Sequence, residues 1–301
     1  MKRAIVTGAT GAVGTALVNE LIENEVEVLV FCRRDSVRNI QIPKHPLVTI
    51  EYCDLEQLAS VQNSTGKIYD VFYHLAWSGT VGIARNDMYL QNQNVRYALD
   101  AVGAAKRFGC RKFVGAGSQA EYGRVEGLLR SDTPVNPELG YGMSKLCAGW
   151  MTREYAHQCG LEHNWVRILS VYGPNDGKQS MVMSTISKLQ NGETPQFTKG
   201  EQMWDYLYSK DAAAAFRLVG ECGVDGKVYV LGSGKVRPLA TYIEEIKSIV
   251  SPGAALEFGA IEYAPKQVMY LCADVSELEG DTGWKAKTPF NDGIKKILES
   301  M

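Results

Sequence analysis

The sequence predicts an α/β fold: a doubly wound parallel sheet with a smaller C-terminal lobe. Three observations carry that expectation. Short apolar runs alternate with helical periodicity through the first 173 residues, as in successive βαβ units. The first run, Ala4-Ile5-Val6, leads into Thr7-Gly8-Ala9-Thr10-Gly11-Ala12-Val13-Gly14, a glycine turn between a strand and a helix. After Gly173-Pro174 the rhythm loosens, glycines and prolines recur and helical stretches shorten.

The helix over 14–22 places Leu17, Val18 and Leu21 on one face. Residues 26–31 read as a second strand, and 70–75 and 112–114 as two more, with a long helix over 90–108 between them. A strand at 166–169 follows a helix that starts near Tyr141. Beyond 174, Asp205-Tyr206-Leu207-Tyr208 and Lys227-Val228-Tyr229-Val230-Leu231 have strand composition. The expected division is a dinucleotide-binding Rossmann domain over 1–173 and a mainly substrate-binding lobe over 174–301. Part of 204–220 is expected to return to the first domain. Residues 177–200, with their Gly, Ser and Thr content, read as a mobile cover.

Composition narrows the class. Hydrophobic residues make up 45% and charged residues 22%, ordinary for a globular chain. A net charge of -2 gives no electrostatic reason to expect nucleic acid or an anionic membrane. No apolar run approaches the ~20 residues of a membrane helix, and Met1-Lys2-Arg3 leads straight into a strand with no apolar leader. The 7 cysteines form no C-x-x-C pair and the 4 histidines lack ligand spacing. Reduced thiols, a cytoplasmic location and no metal are the expectation.

In the glycine turn each glycine has a separate task. Gly8 permits the tight turn, Gly11 lets the backbone approach a pyrophosphate, and Gly14 lets helix pack on sheet. Thr10, Ala12 and Val13 complete the phosphate cradle at the helix N-terminus. At the end of the second strand an acid would bind the ribose 2′-hydroxyl and favour NAD. The sequence there is Phe31-Cys32-Arg33-Arg34-Asp35. Guanidinium groups fork onto a 2′-phosphate, so Arg33 and Arg34 point to NADP (NADPH), with Arg33 foremost. The alternative is that both arginines are solvated and Asp35 serves the ribose of NAD. Asp54-Leu55, after the third strand, flank the adenine.

Tyr141 and Lys145 stand four apart at a helix start and share a face. A free tyrosine titrates near 10, so ionisation at pH 7 needs about 4 kcal/mol of differential stabilisation. A neighbouring ammonium and an oxidised nicotinamide ring both act in that direction. Lys145 would also hold the nicotinamide ribose. Ser118, at a strand end, would hydrogen-bond the reacting oxygen while Tyr141 moves the proton.

These pieces, in this order, resemble the extended short-chain dehydrogenase/reductase family, the nucleotide-sugar epimerase/dehydratase group. The resemblance runs over nearly the whole chain. It includes Asp54-Leu55, His74-Leu75-Ala76, 118–123, 141–145, Val171-Tyr172-Gly173-Pro174, 205–211, and Ala273-Asp274-Val275-Ser276 leading to Gly283-Trp284. It implies that Leu75 and Ala76 line the cofactor, that a nucleoside-diphosphate sugar binds between the lobes, and that the helices near 90–108 and 141–159 form a homodimer contact. Trp77 and Ser78 should face the sugar, although Trp77 reads equally well as core. Gln119 follows the catalytic serine. Ser170 stands where many relatives carry an asparagine. Of the two arginine places that often grip the diphosphate, Trp204 occupies one and 264–267 covers the other, so Arg237 or Lys266 would have to compensate.

Departures from the family pattern narrow the reaction. Dehydratases carry an Asp-Glu pair right after the catalytic hydroxyl residue; Gln119 and Ala120 stand there, and Glu121 comes one place late. Epimerase/reductases acting at two carbons place a cysteine where Ala120 sits. What remains is NADPH-dependent reduction of a nucleoside-diphosphate 4-keto-deoxysugar, with 4-epimerisation on tightly bound NAD as the alternative. A non-catalytic NADP-binding redox sensor is a third reading, of another class.

Overall fold

The computed structural model describes residues 1–301. Its strands are β1 (Arg3–Thr7), β2 (Glu27–Cys32), β3 (Val48–Tyr52), β4 (Val71–His74), β5 (Lys112–Ser118), β6 (Glu162–Ile168), β7 (Ser170–Tyr172), β8 (Gln196–Phe197), β9 (Met203–Trp204), β10 (Tyr206–Tyr208), β11 (Val228–Leu231), β12 (Arg237–Pro238) and β13 (Glu257–Phe258). The helices are α1 (Ala12–Glu23), α2 (Met88–Arg107), α3 (Gly140–Gln158), α4 (Met181–Gln190), α5 (Ser209–Cys222), α6 (Leu239–Val250), α7 (Ser276–Thr282) and α8 (Phe290–Glu299). Seven strands form one parallel sheet in the order β11-β6-β5-β4-β1-β2-β3. Strand order reverses between β1 and β4, which opens a crevice at their carboxyl ends.

The helices cover both faces because the strands are apolar on both. Leu17, Val18 and Leu21 of α1 and Phe216 and Val219 of α5 bury one face. Ala101, Val102 and Phe108 with Ala156 bury the other. Central strands of this kind read as nearly continuous apolar runs, as 112–118 does. A separate core joins Tyr172, Ile186, Tyr242, Phe290 and Ile294.

Two expectations need correction. Lys227–Leu231 was read as part of the C-terminal lobe, yet Val228–Leu231 is the edge strand of the main sheet, paired with β6 from Val228↔Trp165 to Leu231↔Ile168. Its Tyr229 and Leu231 are fully buried there. The return near 204–220 is made by α5, whose Arg217 meets Glu20 of α1 at 2.9 Å, while β10 pairs with β7 in a separate two-stranded sheet. Secondly, 177–200 is not a loose cover: α4 buries Val182, Ile186 and Leu189 in the second core.

Candidate active site

The glycine turn is shaped from both sides. Gly8 has φ +76°, and a Cβ there would lie 2.6 Å from the Ala76 nitrogen. A Cβ on Gly14 would collide with the Gly8 carbonyl oxygen, so the turn closes only if both are glycine. Gly11 is different: a Cβ there would meet only the Gly8 oxygen, at 3.9 Å, and otherwise open cleft. Gly11 is also the N-cap of α1 and offers no side-chain cap, so the first N–H groups and the positive end of the helix face that space. The cradle therefore fits a dinucleotide pyrophosphate. Gly11→Ala should keep the fold, with an unchanged melting temperature, and weaken dinucleotide binding about tenfold or more in a calorimetric titration.

A cleft of about 750 Å³ continues from this turn past Arg33, Asp54, Leu55, Leu75, Ala76 and Trp77. Its floor is fixed by Thr7, whose Oγ1 accepts from the Ala76 N–H at 3.3 Å and shares a hydrogen bond with His74 Nδ1 at 3.0 Å. Burial, with the Lys145 charge acting the same way, pushes His74 down to about 3, so this imidazole is neutral. Of the two arginines read from the sequence, Arg33 lines the cleft, whereas Arg34 lies over the Tyr52 ring at 4.5 Å and does not. Asp35 is exposed and stands outside the cleft lining. A third arginine escaped the sequence reading. Arg38 lines the cleft and donates to the Thr10 carbonyl at 2.7 Å and the Asn175 carbonyl at 3.4 Å, tying the glycine turn to the chain after Gly173.

Ser118, Tyr141 and Lys145 come together beyond the cleft floor. Ser118 ends β5, and its N–H donates to Glu121 Oε1 at 2.8 Å. Glu121 is fully buried; it also accepts from Arg167 Nε at 2.7 Å and Trp165 Nε1 at 3.0 Å. This carboxylate is a structural anchor for the serine, with its oxygens already engaged. Lys145 is buried, donates to the Ala116 carbonyl at 2.6 Å and lies 3.9 Å over the Trp77 ring. Burial lowers its pKa to about 7, against the opposing pull of Glu121. The Tyr141 phenol is raised, chiefly by burial; the Ser118 hydrogen bond and the Arg85 charge oppose the rise and Glu121 adds to it. The expectation that the lysine lowers it is not met within the protein alone, because the ammonium is turned onto Ala116 and lies 5.9 Å from the Tyr141 ring.

Trp77 packs edge-on against Tyr141, with centroids 6.3 Å apart and planes at 85°, and donates to Gln91 Oε1 at 2.9 Å. It is a wall of the site, held in place by the helix behind it. Ser78 is tied to the same helix by Asn94, through 3.0 Å and 2.9 Å bonds. Gln119 begins the short turn after Ser118 and is half-buried. Ser170 Oγ accepts from Trp204 Nε1 at 2.8 Å, so these two residues are held together. Arg237 pairs with Glu245 at 2.6 Å and stacks on Tyr242 at 3.9 Å. Lys266 is exposed, in the electrostatic company of Glu138. No group of three or more His, Cys, Asp or Glu is placed to hold a metal. No helix is long and apolar enough to cross a membrane.

A parallel sheet with a glycine-turn crevice and a Ser/Tyr/Lys set defines a nicotinamide-dinucleotide enzyme of the short-chain dehydrogenase/reductase type. Residues 4–232 match the model of the NAD dependent epimerase/dehydratase family, and the chain belongs to that family. It is 23% identical to the dTDP-4-dehydro-6-deoxyglucose reductase of Escherichia coli, over 99% of this chain and 96% of that protein. A UDP-N-acetylglucosamine 4-epimerase from Methanobrevibacter ruminantium M1, solved with UDP-N-acetylmuramic acid, superposes with a TM-score of 0.87 at 24% identity, covering 100% and 99% of the two chains. RMD from Pseudomonas aeruginosa, solved with NADPH, superposes with a TM-score of 0.82 at 21% identity, over 99% and 98%.

Proposed function

We propose that the protein is an NADPH-dependent reductase of a nucleoside-diphosphate 4-keto-(deoxy)sugar. The observation that carries the cofactor half is the adenosine end of the cleft, where Arg33 and Arg38 stand and no acid closes β2. The similarity to a reductase of a dTDP-4-dehydro sugar supports the substrate half. When bound, the nicotinamide supplies hydride to the sugar C4. The chain's own residues do the rest. Ser118 hydrogen-bonds the C4 oxygen and Tyr141 protonates it, while Lys145 holds the nicotinamide ribose. Trp77 and Ser78 wall the sugar, and Ser170 with Trp204 lines the nucleotide side. The engaged state of Glu121 and the identity of Gln119 and Ala120 leave no acid–base pair for dehydration. Membership of an enzymatic family, with the Ser/Tyr/Lys set intact, sets aside the redox-sensor reading.

A second reading, 4-epimerisation with retained NAD, is favoured by the epimerase named among the similar structures. Cofactor state separates the two. Purified protein should be largely free of nucleotide and bind NADPH about tenfold or more tighter than NADH, and Arg33→Ala with Arg38→Ala should erase that preference. Protein that retains NAD through purification would make epimerisation the better reading.

We also propose a homodimer through α2 and α3. Their outer faces present Trp150, Met151 and Tyr155, exposed by 52%, 45% and 37%, beside Leu99 and Gly103. Light scattering at micromolar concentration should give twice the chain mass; a monomeric mass refutes the assembly.

A further inference from the structure

The cation nearer the Tyr141 ring is not the lysine of the motif, whose Nζ lies 5.9 Å from the ring centroid. The Arg85 guanidinium carbon lies 4.5 Å from the Tyr141 ring centroid. Arg85 is half-buried, and its polar contact is the Thr80 carbonyl at 3.3 Å. The placement is built rather than incidental. Asn86, the next residue, accepts through Oδ1 from the Gly140 N–H at 3.0 Å, and Gly140 immediately precedes Tyr141. Thus neighbours of the two residues are bonded to each other. The segment carrying Arg85 is pinned again by Gln91, which is fully buried and donates to the Gly79 and Ala84 carbonyls, both at 2.9 Å. The same Gln91 accepts from Trp77, whose indole meets Tyr141 edge-on. One buried amide therefore sets both neighbours of the tyrosine ring.

We infer that Arg85 is a positioning residue for Tyr141, orienting its ring and stabilising the phenolate that forms when the phenol gives up its proton. The inference rests on the proton-donor role proposed above for Tyr141. A guanidinium over an aromatic face is attracted to the ring's π density, and that density rises when the phenol ionises. The contact is therefore stronger in the anion than in the phenol, the difference that makes a better acid. Guanidinium groups as a class stay charged at every working pH. Lys145 does not have that certainty, since burial brings it down to about 7 and its Nζ is bonded to Ala116. The remaining groups facing Tyr141 are the Ser118 hydroxyl, which acts with Arg85, and Glu121, which acts against it while paired to Arg167. His74, on the strand beneath Lys145, is neutral.

The test is a titration of the Tyr141 phenol by NMR, using protein carrying ¹³Cζ-tyrosine and the Tyr141→Phe spectrum to assign the signal. It is run with and without NAD⁺. Arg85→Gln should move the midpoint upward by about one pH unit, a tenfold loss in ionisation, and Arg85→Lys should recover part of it. Far-UV circular dichroism and retained NADPH binding show that the variants are folded. A midpoint in Arg85→Gln that overlays the wild type overturns the inference. Because the titration needs no sugar, it decides the role of Arg85 even if the nucleotide-sugar reading fails. In turnover with a dTDP-4-dehydro-6-deoxy sugar, Arg85→Gln should lower kcat about tenfold and leave KM unchanged. A raised KM with unchanged kcat would make Arg85 a substrate grip and also overturn it.

Discussion

Tyr141→Phe should lower kcat by about two to four orders of magnitude, the usual contribution of a positioned proton donor. The geometry separates this loss from a binding defect. The phenylalanine ring keeps the edge contact with Trp77 at 6.3 Å and the face contact with Arg85 at 4.5 Å, and loses only the phenolic oxygen. NADPH affinity and thermal stability should therefore stay near wild type. Loss of kcat and of kcat/KM in equal measure would mark an interaction made in the transition state alone. A variant with wild-type turnover would remove Tyr141 from the mechanism. The dependence on pH has a defined sign. Burial raises the Tyr141 phenol, so it remains the protonated donor through neutral pH, and activity in the reducing direction should fall on the alkaline side as the phenol ionises.

The second large effect is on stability. Glu121→Gln should destabilise the fold by about 3–5 kcal/mol, the range for breaking a buried ion pair by removing one partner. Arg167 is 4% exposed and Glu121 is 0% exposed, with Nε and Oε2 2.7 Å apart. A glutamine amide would turn an NH₂ toward at least one of the three donors that the carboxylate now satisfies, from Arg167, Trp165 and Ser118. The guanidinium would then keep only the Ser131 carbonyl at 3.3 Å and the Tyr122 ring at 4.6 Å. Urea unfolding should show a lower midpoint with an unchanged slope. Glu121→Gln combined with Arg167→Leu should recover much of the loss, because the orphaned charge is gone. A single variant within about 0.5 kcal/mol of wild type would deny the pair its anchoring role.

The glycine turn and the Ser/Tyr/Lys spacing were legible in the sequence because local geometry fixes them. Gly14 answers to a backbone clearance against Gly8 within one turn, Gly11 to its place at the start of the helix, and Tyr141 and Lys145 to one helical turn. What stayed hidden depends on contacts distant in sequence. Gln91 looks like a polar residue on a helix; only the fold shows it buried, holding three groups between 77 and 84. Arg85 and Arg38 lie in short 3₁₀ turns that carry no periodic signal, and their partners are a ring at 141 and carbonyls at 10 and 175. β11 was misplaced for the same kind of reason. A four-residue apolar run says that a strand is buried, and nothing in it says which sheet receives it. The two-residue strands β8, β9, β12 and β13 fall below the length at which alternation can be read.

The most direct test of the central claim uses NADPH deuterated at the nicotinamide C4 on the transferred face, with a dTDP-4-dehydro-6-deoxy sugar as substrate. The account predicts that NADPH is consumed in equal amount with product, and that each product molecule carries a single deuterium at the sugar C4. Conversion of a C4-hydroxy nucleotide sugar to its C4 epimer, without NADPH consumption and without deuterium in the product, would contradict it.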